Sequence, residues 1–279
     1  MFEKDGLEYL FHYTSLDKLD LILKNHTIRL SPIANLDDPQ EQKTKDVDNL
    51  GRFIFVSCWT EDMIESIPMW NLYTPINAGV RIGLPKNPFL RHGTKIEDFP
   101  GARIIDDTPQ ENQQLIAPDT FLNIAEMLKS GIYSQQAWSG DILKKIEYID
   151  DIDLLEPEVL TFDEKQMHLD TGKLGLYKNT YWKFQNEWRY LMQIIPFSFG
   201  PNVEKMHSEF TKNANLMARG ELKASISYYD LIIAPEMFEK MIITPSPKIT
   251  SGNRDILELL VEKYNPKAEI KESELNGLV

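Results

Sequence analysis

A predicted strand over residues 187–195 constrains the fold more than any other part of the chain. Its sequence alternates, so that Glu187 and Arg189 point to one side while Trp188 and the apolar residues at the same spacing point to the other. Gln185, two residues earlier, places a third polar group on the first face. Three aligned polar groups at the start of an otherwise apolar strand indicate a functional site. The alternative is a surface ion pair between Glu187 and Arg189 at the edge of a sheet.

Short strands and helices alternate along the 279 residues, with no internal repeat and no low-complexity linker. An apolar content of 42% can fill a substantial core, so we predict a single α+β domain over residues 1–279. The predicted strands cover residues 7–14, 27–31, 52–58, 78–84, 103–106, 143–149, 187–195, 229–234 and 268–271. Five helices are predicted. The first is capped by Ser15 and ends at Asn25 and His26, and the third covers residues 119–130 with Asp119 as its cap. The others cover residues 61–73, a segment that begins at Pro235, and residues 254–263.

The charge and the cysteine content limit the compartment and the partners. Cys58 is the one cysteine, which excludes an internal disulfide and a multi-cysteine metal site, so a reducing, cytoplasmic location is predicted. The chain has no run of about 18 consecutive apolar residues, and no membrane association is expected. A net charge of −13 argues against broad adhesion to nucleic acid. The histidines show no metal-ligand spacing, so no metal site is predicted.

Several separated segments occur in an order that resembles one protein family. These segments are Phe11-His12-Tyr13-Thr14-Ser15, Leu30-Ser31 before Asn35-Leu36-Asp37-Asp38-Pro39, Val56-Ser57, Met69-Trp70-Asn71-Leu72-Tyr73 before Gly79-Val80, and Lys178 through Trp182 to Glu187-Trp188-Arg189. Over about residues 8–235 the chain resembles the bacterial family named domain of unknown function 2971. The resemblance implies a fold similar to that of ADP-ribosyltransferases, in which a split pair of small mixed sheets with flanking helices grips NAD. Residues 236–279 would then add a helix and a short strand to this core.

The resemblance also implies that NAD is a substrate, and it assigns a role to each of the polar residues. Glu187 is the candidate catalytic carboxylate, since positive charge develops on the ribose as nicotinamide leaves. Gln185 would orient the acceptor nucleophile, but the family is expected to have Glu at this place more often, so no acceptor is assigned. His12 would anchor the ribose or phosphate side, and Arg189 would hold the carboxylate or contact a phosphate. The candidate NAD-binding residues are His12, Tyr13, Thr14, Ser57, Trp70, Tyr73 and Arg189.

Several of these residues also have a purely structural interpretation. His12 can be a buried neutral imidazole bonded to backbone. Trp70 and Tyr73, which share one face of a helix, are more often part of a core than groups that stack on a ligand. Residues 35–39 are well explained as a turn, because Asx side chains bond local amides. Cys58 follows an apolar strand and is expected to be a buried, inert thiol.

Two functional hypotheses of different classes follow. The first is an NAD-using enzyme that transfers ADP-ribose to a macromolecular acceptor, protein or nucleic acid, or hydrolyses NAD when water is the acceptor. A toxin or phage-defence effector under the control of a regulatory protein partner would suit this chemistry. The second is a catalytically inactive nucleotide-sensing or protein-binding module on the same fold. Transfer of a phosphate from RNA to NAD is a third reading, which the acidic balance of the chain disfavours.

Overall fold

The computed structural model describes residues 2–94, 117–134, 136, 141–163, 167–198 and 203–279. Within them the fold is mixed α+β, with one sheet of ten strands and four sheets of two strands. The strands are β1 Phe2–Lys4, β2 Leu7–Ser15, β3 Thr27–Pro32, β4 Ile54–Thr60, β5 Gly79–Pro85, β6 His92–Thr94, β7 Ala117–Thr120, β8 Ile132–Tyr133, β9 Leu143–Lys145, β10 Glu147–Ile149, β11 Leu160–Phe162, β12 Met167–Leu169, β13 Tyr177–Asn179, β14 Glu187–Gln193, β15 Ile195–Pro196, β16 Tyr229–Ile232, β17 Ile242–Pro245 and β18 Glu269–Ile270.

Helices flank these sheets, and the prediction of a mixed α+β fold is confirmed. The α-helices of the described residues are α1 Leu16–Asn25, α2 Ile67–Tyr73, α3 Ile124–Lys129, α4 Ile152–Leu155, α5 Val203–Ala218, α6 Pro235–Phe238 and α7 Ser251–Tyr264. Shorter 3-10 helices cover Ile33–Asn35, Pro39–Gln42, Leu50–Phe53 and Thr180–Gln185. None of the helices in this described part of the chain combines the length and the apolar character that a membrane span requires.

The ten-stranded sheet is split into two halves. One half consists of β1, β2, β5, β17 and β18, and the other consists of β3, β4, β9, β14 and β16. Of the described residues in β2 and β4, only Phe11 and Thr60 pair across the junction, whereas β2 pairs with β5 along Tyr9 to Ser15. The two central strands therefore part beyond this pair. A cleft opens between the residues that follow Phe11 and those that precede Thr60.

The local patterns at the start of the chain are confirmed by β2 and α1. The buried face of α1 carries three leucines, at the helical spacing that the sequence shows. His26 ends the helix in a left-handed conformation with φ of 54°. Ser15 occupies the N-cap position, but its side chain makes no capping hydrogen bond to the described residues, so the predicted cap is wrong in this respect.

Strand β14 has the two-sided character that its sequence predicts. Trp188, Tyr190 and Met192 face the larger apolar cluster, which also contains residues of α1 and α7. Glu187 and Arg189 lie on the opposite side of the strand, and both are buried. β14 pairs with β4 along one side and with β9 along the other, so it is an interior strand. The interpretation of Glu187 and Arg189 as a surface ion pair at a sheet edge is therefore wrong.

Two predicted elements in the middle of the chain differ from the structure. The strand predicted over residues 143–149 is divided into β9 and β10: the Ile146 N–H still donates to the Glu187 carbonyl of β14 over 2.9 Å, whereas the Glu147 N–H donates to the Leu176 carbonyl over 3.0 Å. β9 pairs with β14 and β10 pairs with β13. The helix predicted over residues 119–130 is shorter, since Asp119 lies in β7 and Asn123 accepts the capping hydrogen bond from the Glu126 amide over 3.2 Å. The strand predicted over residues 103–106 lies outside the described residues.

Candidate functional site

A cleft with a volume of about 700 Å³ occupies the split in the sheet. This volume lies within the range of roughly 300–1,000 Å³ that is typical of small-molecule sites. Seven of the nine candidate catalytic and NAD-binding residues line it, and they come from β2, β4, α2, the 3-10 helix Thr180–Gln185 and the first residue of β14. They are His12, Tyr13, Thr14, Ser57, Tyr73, Gln185 and Glu187.

His12 fills the gap where β2 and β4 separate. Its Nδ1 lies 2.7 Å from the Cys58 carbonyl oxygen. Because a carbonyl only accepts, Nδ1 carries the proton and Nε2 is left as an acceptor. Burial lowers the pKa of His12 to about 4, against the opposing effect of this hydrogen bond. The imidazole is therefore neutral at pH 7 and suits a hydroxyl donor, such as a ribose hydroxyl, better than a phosphate.

We expect His12 to make the protein less stable as the pH falls from about 6.5 to about 4. The unfolded chain takes up a proton in this range, whereas the native imidazole, whose pKa is lowered to about 4, does not. Between pH 7 and pH 5 the free energy of unfolding should therefore decrease by about 2 kcal/mol more in the wild type than in His12→Gln. Urea denaturation at the two pH values measures this difference. The same substitution at exposed His207 gives the effect of removing a surface histidine.

Gln185 and Tyr73 meet across the cleft. Gln185 is 3% exposed, and its Nε2 donates to the Tyr73 hydroxyl. Its Oε1 is buried and has no hydrogen-bond partner among the described residues. Asn186 adopts a left-handed conformation with φ of 40° between the 3-10 helix and β14. This turn allows Gln185 and Glu187 to line the same cleft although they belong to different elements.

Glu187 belongs to a buried charge cluster of two carboxylates and two cations. Arg189 donates to it in bidentate fashion, over 2.6 Å from Nε and 3.1 Å from Nη2. Lys178 Nζ lies 3.3 Å from Glu187 Oε2 and 3.1 Å from Glu41 Oε1, and Arg189 Nη1 contacts Glu41 Oε2. All four side chains are at most 5% exposed. Their formal charges cancel, as expected of charges that are removed from water.

The cluster keeps Glu187 ionised. Burial by itself would raise the pKa of Glu187, but the positive charges of Arg189 and Lys178 outweigh burial and lower this pKa to about 2. Of the two roles foreseen for Arg189, the structure supports that of holding the carboxylate. Arg189 is fully buried and lies behind Glu187 rather than in the lining of the cleft.

Trp70 lies outside the cleft lining, and its surroundings are those of a core residue. It is 4% exposed, and its indole N–H donates to Glu65 Oε2 over 2.9 Å. Its ring packs edge-on against Tyr13, with centroids 4.9 Å apart. The Tyr13 hydroxyl accepts from the Ser66 amide over 3.0 Å. Between the two aromatic residues proposed for ring stacking, only Tyr73 borders the cleft.

Thr14, Ser57 and Cys58 are fixed by burial or by contacts within the fold. Thr14 and Ser57 are buried, and Ser57 Oγ accepts from the Trp59 indole N–H over 3.0 Å. Burial raises the pKa of the Cys58 thiol well above its usual range, and the negative charge of Glu187 adds to this rise. Cys58 is therefore protonated at neutral pH, as predicted for an inert thiol. It is only partly buried and lines the cleft, however, so the prediction of a buried residue is wrong in this respect.

Two acidic residues of the site were missed from the sequence. Glu41 lies on the 3-10 helix Pro39–Gln42, directly after the predicted turn, and belongs to the buried charge cluster. Asp37 lies within the turn and lines the cleft. The turn interpretation is correct for Asp38, whose Oδ1 accepts from the Gln40 amide over 3.0 Å. The polar, turn-rich sequence does not indicate that Asp37 lines the cleft or that Glu41 belongs to the charge cluster, because both roles arise from contacts with distant segments.

Comparisons with known proteins found no relative of this chain. The chain matches no family model, no curated protein and no solved structure. The resemblance to the unknown-function family, and the use of NAD that it implies, thus stay predictions. The described residues contain no group of three or more His, Cys, Asp or Glu side chains that is placed to bind a metal ion.

Proposed function

We propose that this protein is an NAD-using enzyme of the ADP-ribosyltransferase type, acting in the cytoplasm as a toxin or defence effector. The observation that supports it most is that His12, Tyr73 and Glu187, from three distant segments, line one cleft. The cleft also lies where the sheet splits into two halves, which suits the grip on NAD expected of that fold. Its volume of about 700 Å³ is large enough for an extended nucleotide ligand.

The proposed reaction breaks the bond between nicotinamide and C1′ of the ribose. The bonding electron pair leaves with nicotinamide, so positive charge moves from the pyridinium ring to the ribose. Glu187, which is ionised at neutral pH, would stabilise that charge as it develops. The acceptor then forms a new bond to C1′ and releases a proton. A macromolecular group gives a transferase, and water gives an NAD hydrolase.

The other residues of the cleft would bind and orient the substrate. Tyr73 offers an aromatic face for the nicotinamide ring, and the Nε2 of neutral His12 accepts a hydrogen bond from a ribose hydroxyl. The amide nitrogen of Gln185 is already bonded to Tyr73, so its Oε1, which has no partner among the described residues, is the atom left for the acceptor nucleophile. An accepting oxygen at this place suits a hydroxyl, an amine or water.

Incubation of the purified protein with labelled NAD and a cell lysate tests the proposal. NAD labelled in the adenosine moiety is followed on protein and on nucleic acid, and free nicotinamide is measured in the same samples. Label on a macromolecule establishes a transferase and identifies the class of its acceptor. Nicotinamide release without label establishes a hydrolase. If folded protein gives neither signal, the enzymatic proposal is wrong.

One observation favours a second function, that of a catalytically inactive nucleotide-sensing module. The charge of Glu187 is balanced by Lys178 and Arg189 before any ligand arrives. A carboxylate that is already neutralised stabilises a developing cation less than a free one does. Calorimetry separates the two functions: NAD binding without product after long incubation indicates a sensor, whereas an absence of nucleotide binding indicates a protein-binding module.

A further inference from the structure

An apolar patch lies on the surface of the segment that covers residues 63–76. Five large apolar side chains of this segment are exposed to solvent, by 44–73%. They are Met63, Ile64, Ile67, Leu72 and Ile76. Single exposed apolar residues are ordinary on a protein surface, whereas a contiguous group of them is typical of an interaction site.

Helix α2 makes this patch continuous with the cleft. At about 100° per residue, the exposed side of the helix carries in angular order Ile67, Asn71, Pro68 and Leu72. Asn71 is the one polar residue among these four. Leu72 also lines the cleft, as does Tyr73 on the inner side of the helix. A macromolecule that covers the patch therefore lies at the mouth of the cleft.

The segment that carries the patch is fixed from the inside. Its one charged residue, Glu65, is 9% exposed and points into the fold. The Glu65 carboxylate accepts from the Trp70 indole N–H over 2.9 Å. It also accepts from the Ser273 hydroxyl and the Glu274 amide, over 2.7 Å each. The patch is thus a preformed surface, and a partner that binds it has little loop ordering to offset.

The charges near the patch decide which kind of macromolecule suits it. Residues 61–80 contain no Lys and no Arg, and Glu61 and Asp62 stand directly before the patch. Nucleic acid requires clustered cations that face its phosphates, so this surface does not suit it. The net charge of −13 attracts a basic protein at long range and repels a second copy of this chain.

We propose that the acceptor of ADP-ribose is a basic protein that docks apolar side chains on the patch while its nucleophile reaches into the cleft. This inference rests on the proposed function and deepens it, because it names the class of the acceptor and the surface that selects it. Gln185 lies beside the docked acceptor, since its Nε2 donates to the hydroxyl of Tyr73, the last residue of α2. The nucleophile bonds to C1′ and releases its proton as nicotinamide leaves with the bonding electron pair.

Label transfer from adenosine-labelled NAD to the proteins of a dilute cell lysate tests this inference. Ile64→Asp and Ile67→Asp each place a charge in the patch, and neither residue lines the cleft. Each variant should lower the initial rate of protein labelling about tenfold, because an apolar contact is replaced with a charge that loses its water. Isoelectric focusing should show that the wild type labels basic proteins.

Ile152→Asp is the matched control for Ile67→Asp. Both isoleucines are exposed and occupy the first position of a short helix, α4 and α2 respectively, where a negative charge is favourable. Ile152 lies outside the patch and does not line the cleft, so this variant should label proteins at the wild-type rate. Calorimetry with a carbocyclic NAD analogue, which is not cleaved, should give the wild-type affinity for all three variants.

Several results would overturn the inference. Label on nucleic acid alone, label confined to acidic proteins, or nicotinamide release without label would refute the basic protein acceptor while leaving NAD cleavage intact. Protein labelling that persists in both patch variants, or that falls equally in Ile152→Asp, would refute docking on the patch. A wild-type dimer in sedimentation experiments that Ile64→Asp dissociates would assign the patch to a second copy instead. If folded wild-type protein releases no nicotinamide and labels nothing, the proposed function is wrong, and this inference with it.

Discussion

Nicotinamide release from NAD is expected to fall about a thousandfold when Glu187 is replaced with Gln. The amide keeps the size of the side chain but removes the negative charge that would stabilise the ribose cation in the transition state. Initial rates at saturating NAD measure the loss, and the affinity for a non-cleaved NAD analogue should change by much less. Activity close to that of the wild type would show that Glu187 is not the catalytic carboxylate.

Glu41→Gln separates the effect of losing the catalytic carboxylate from the effect of losing a buried charge. It removes the same charge from the same cluster as Glu187→Gln, so the two variants should be destabilised to a similar degree. Glu41 does not line the cleft, and its replacement should leave turnover within about tenfold of the wild type. Equal loss of activity in the two folded variants would assign the effect to the integrity of the cluster.

The free energy of unfolding is expected to decrease by about 3–5 kcal/mol when Arg189 is replaced with Met. Arg189 is fully buried and contacts both carboxylates of the cluster. Its removal leaves two buried negative charges with Lys178 as their one cationic neighbour in the described structure. Urea denaturation at pH 7 measures the change, with far-UV circular dichroism to establish that the variant is folded at the start.

The same substitution at Arg219 provides the comparison. Arg219 and Glu221 form an exposed ion pair of 3.4 Å, with side chains 61% and 58% exposed. Loss of such a pair changes stability by about 0–1 kcal/mol. If Arg189→Met were no more destabilising than Arg219→Met, the buried charges would have to be relieved by water or by a change in protonation, and the description of a tight cluster would be wrong.

The parts of the fold that could be predicted from the sequence are those that local patterns determine. β2, α1 and β14 have a clear period of two or of 3.6 residues, and each occurs close to its predicted bounds. The segment 143–149 shows the limit of this reasoning. It looks like one strand, but β9 and β10 have different partners, β14 and β13, which no local pattern specifies.

The candidate site was partly predictable for the same reason. Gln185 and Glu187 are conspicuous because they stand just before and at the start of an otherwise apolar strand, and His12 lies beside aromatic residues in the first long strand. Trp70 has a similar appearance in the sequence, yet its indole N–H is used by the buried Glu65 carboxylate. Glu41 could not be found, since a glutamate after a turn is an ordinary surface residue unless the fold buries it against distant cations.

The charge cluster also has a consequence for the way the chain finds its native pairing. A slip of β14 by two residues along β4 would keep every side chain on its own face, so apolar alternation alone does not forbid it. Such a slip would place Arg189 where Glu187 now lies, and buried charges would lose their partners. Since an unpartnered buried charge costs several kcal/mol, the cluster selects one strand register against its near neighbours during folding.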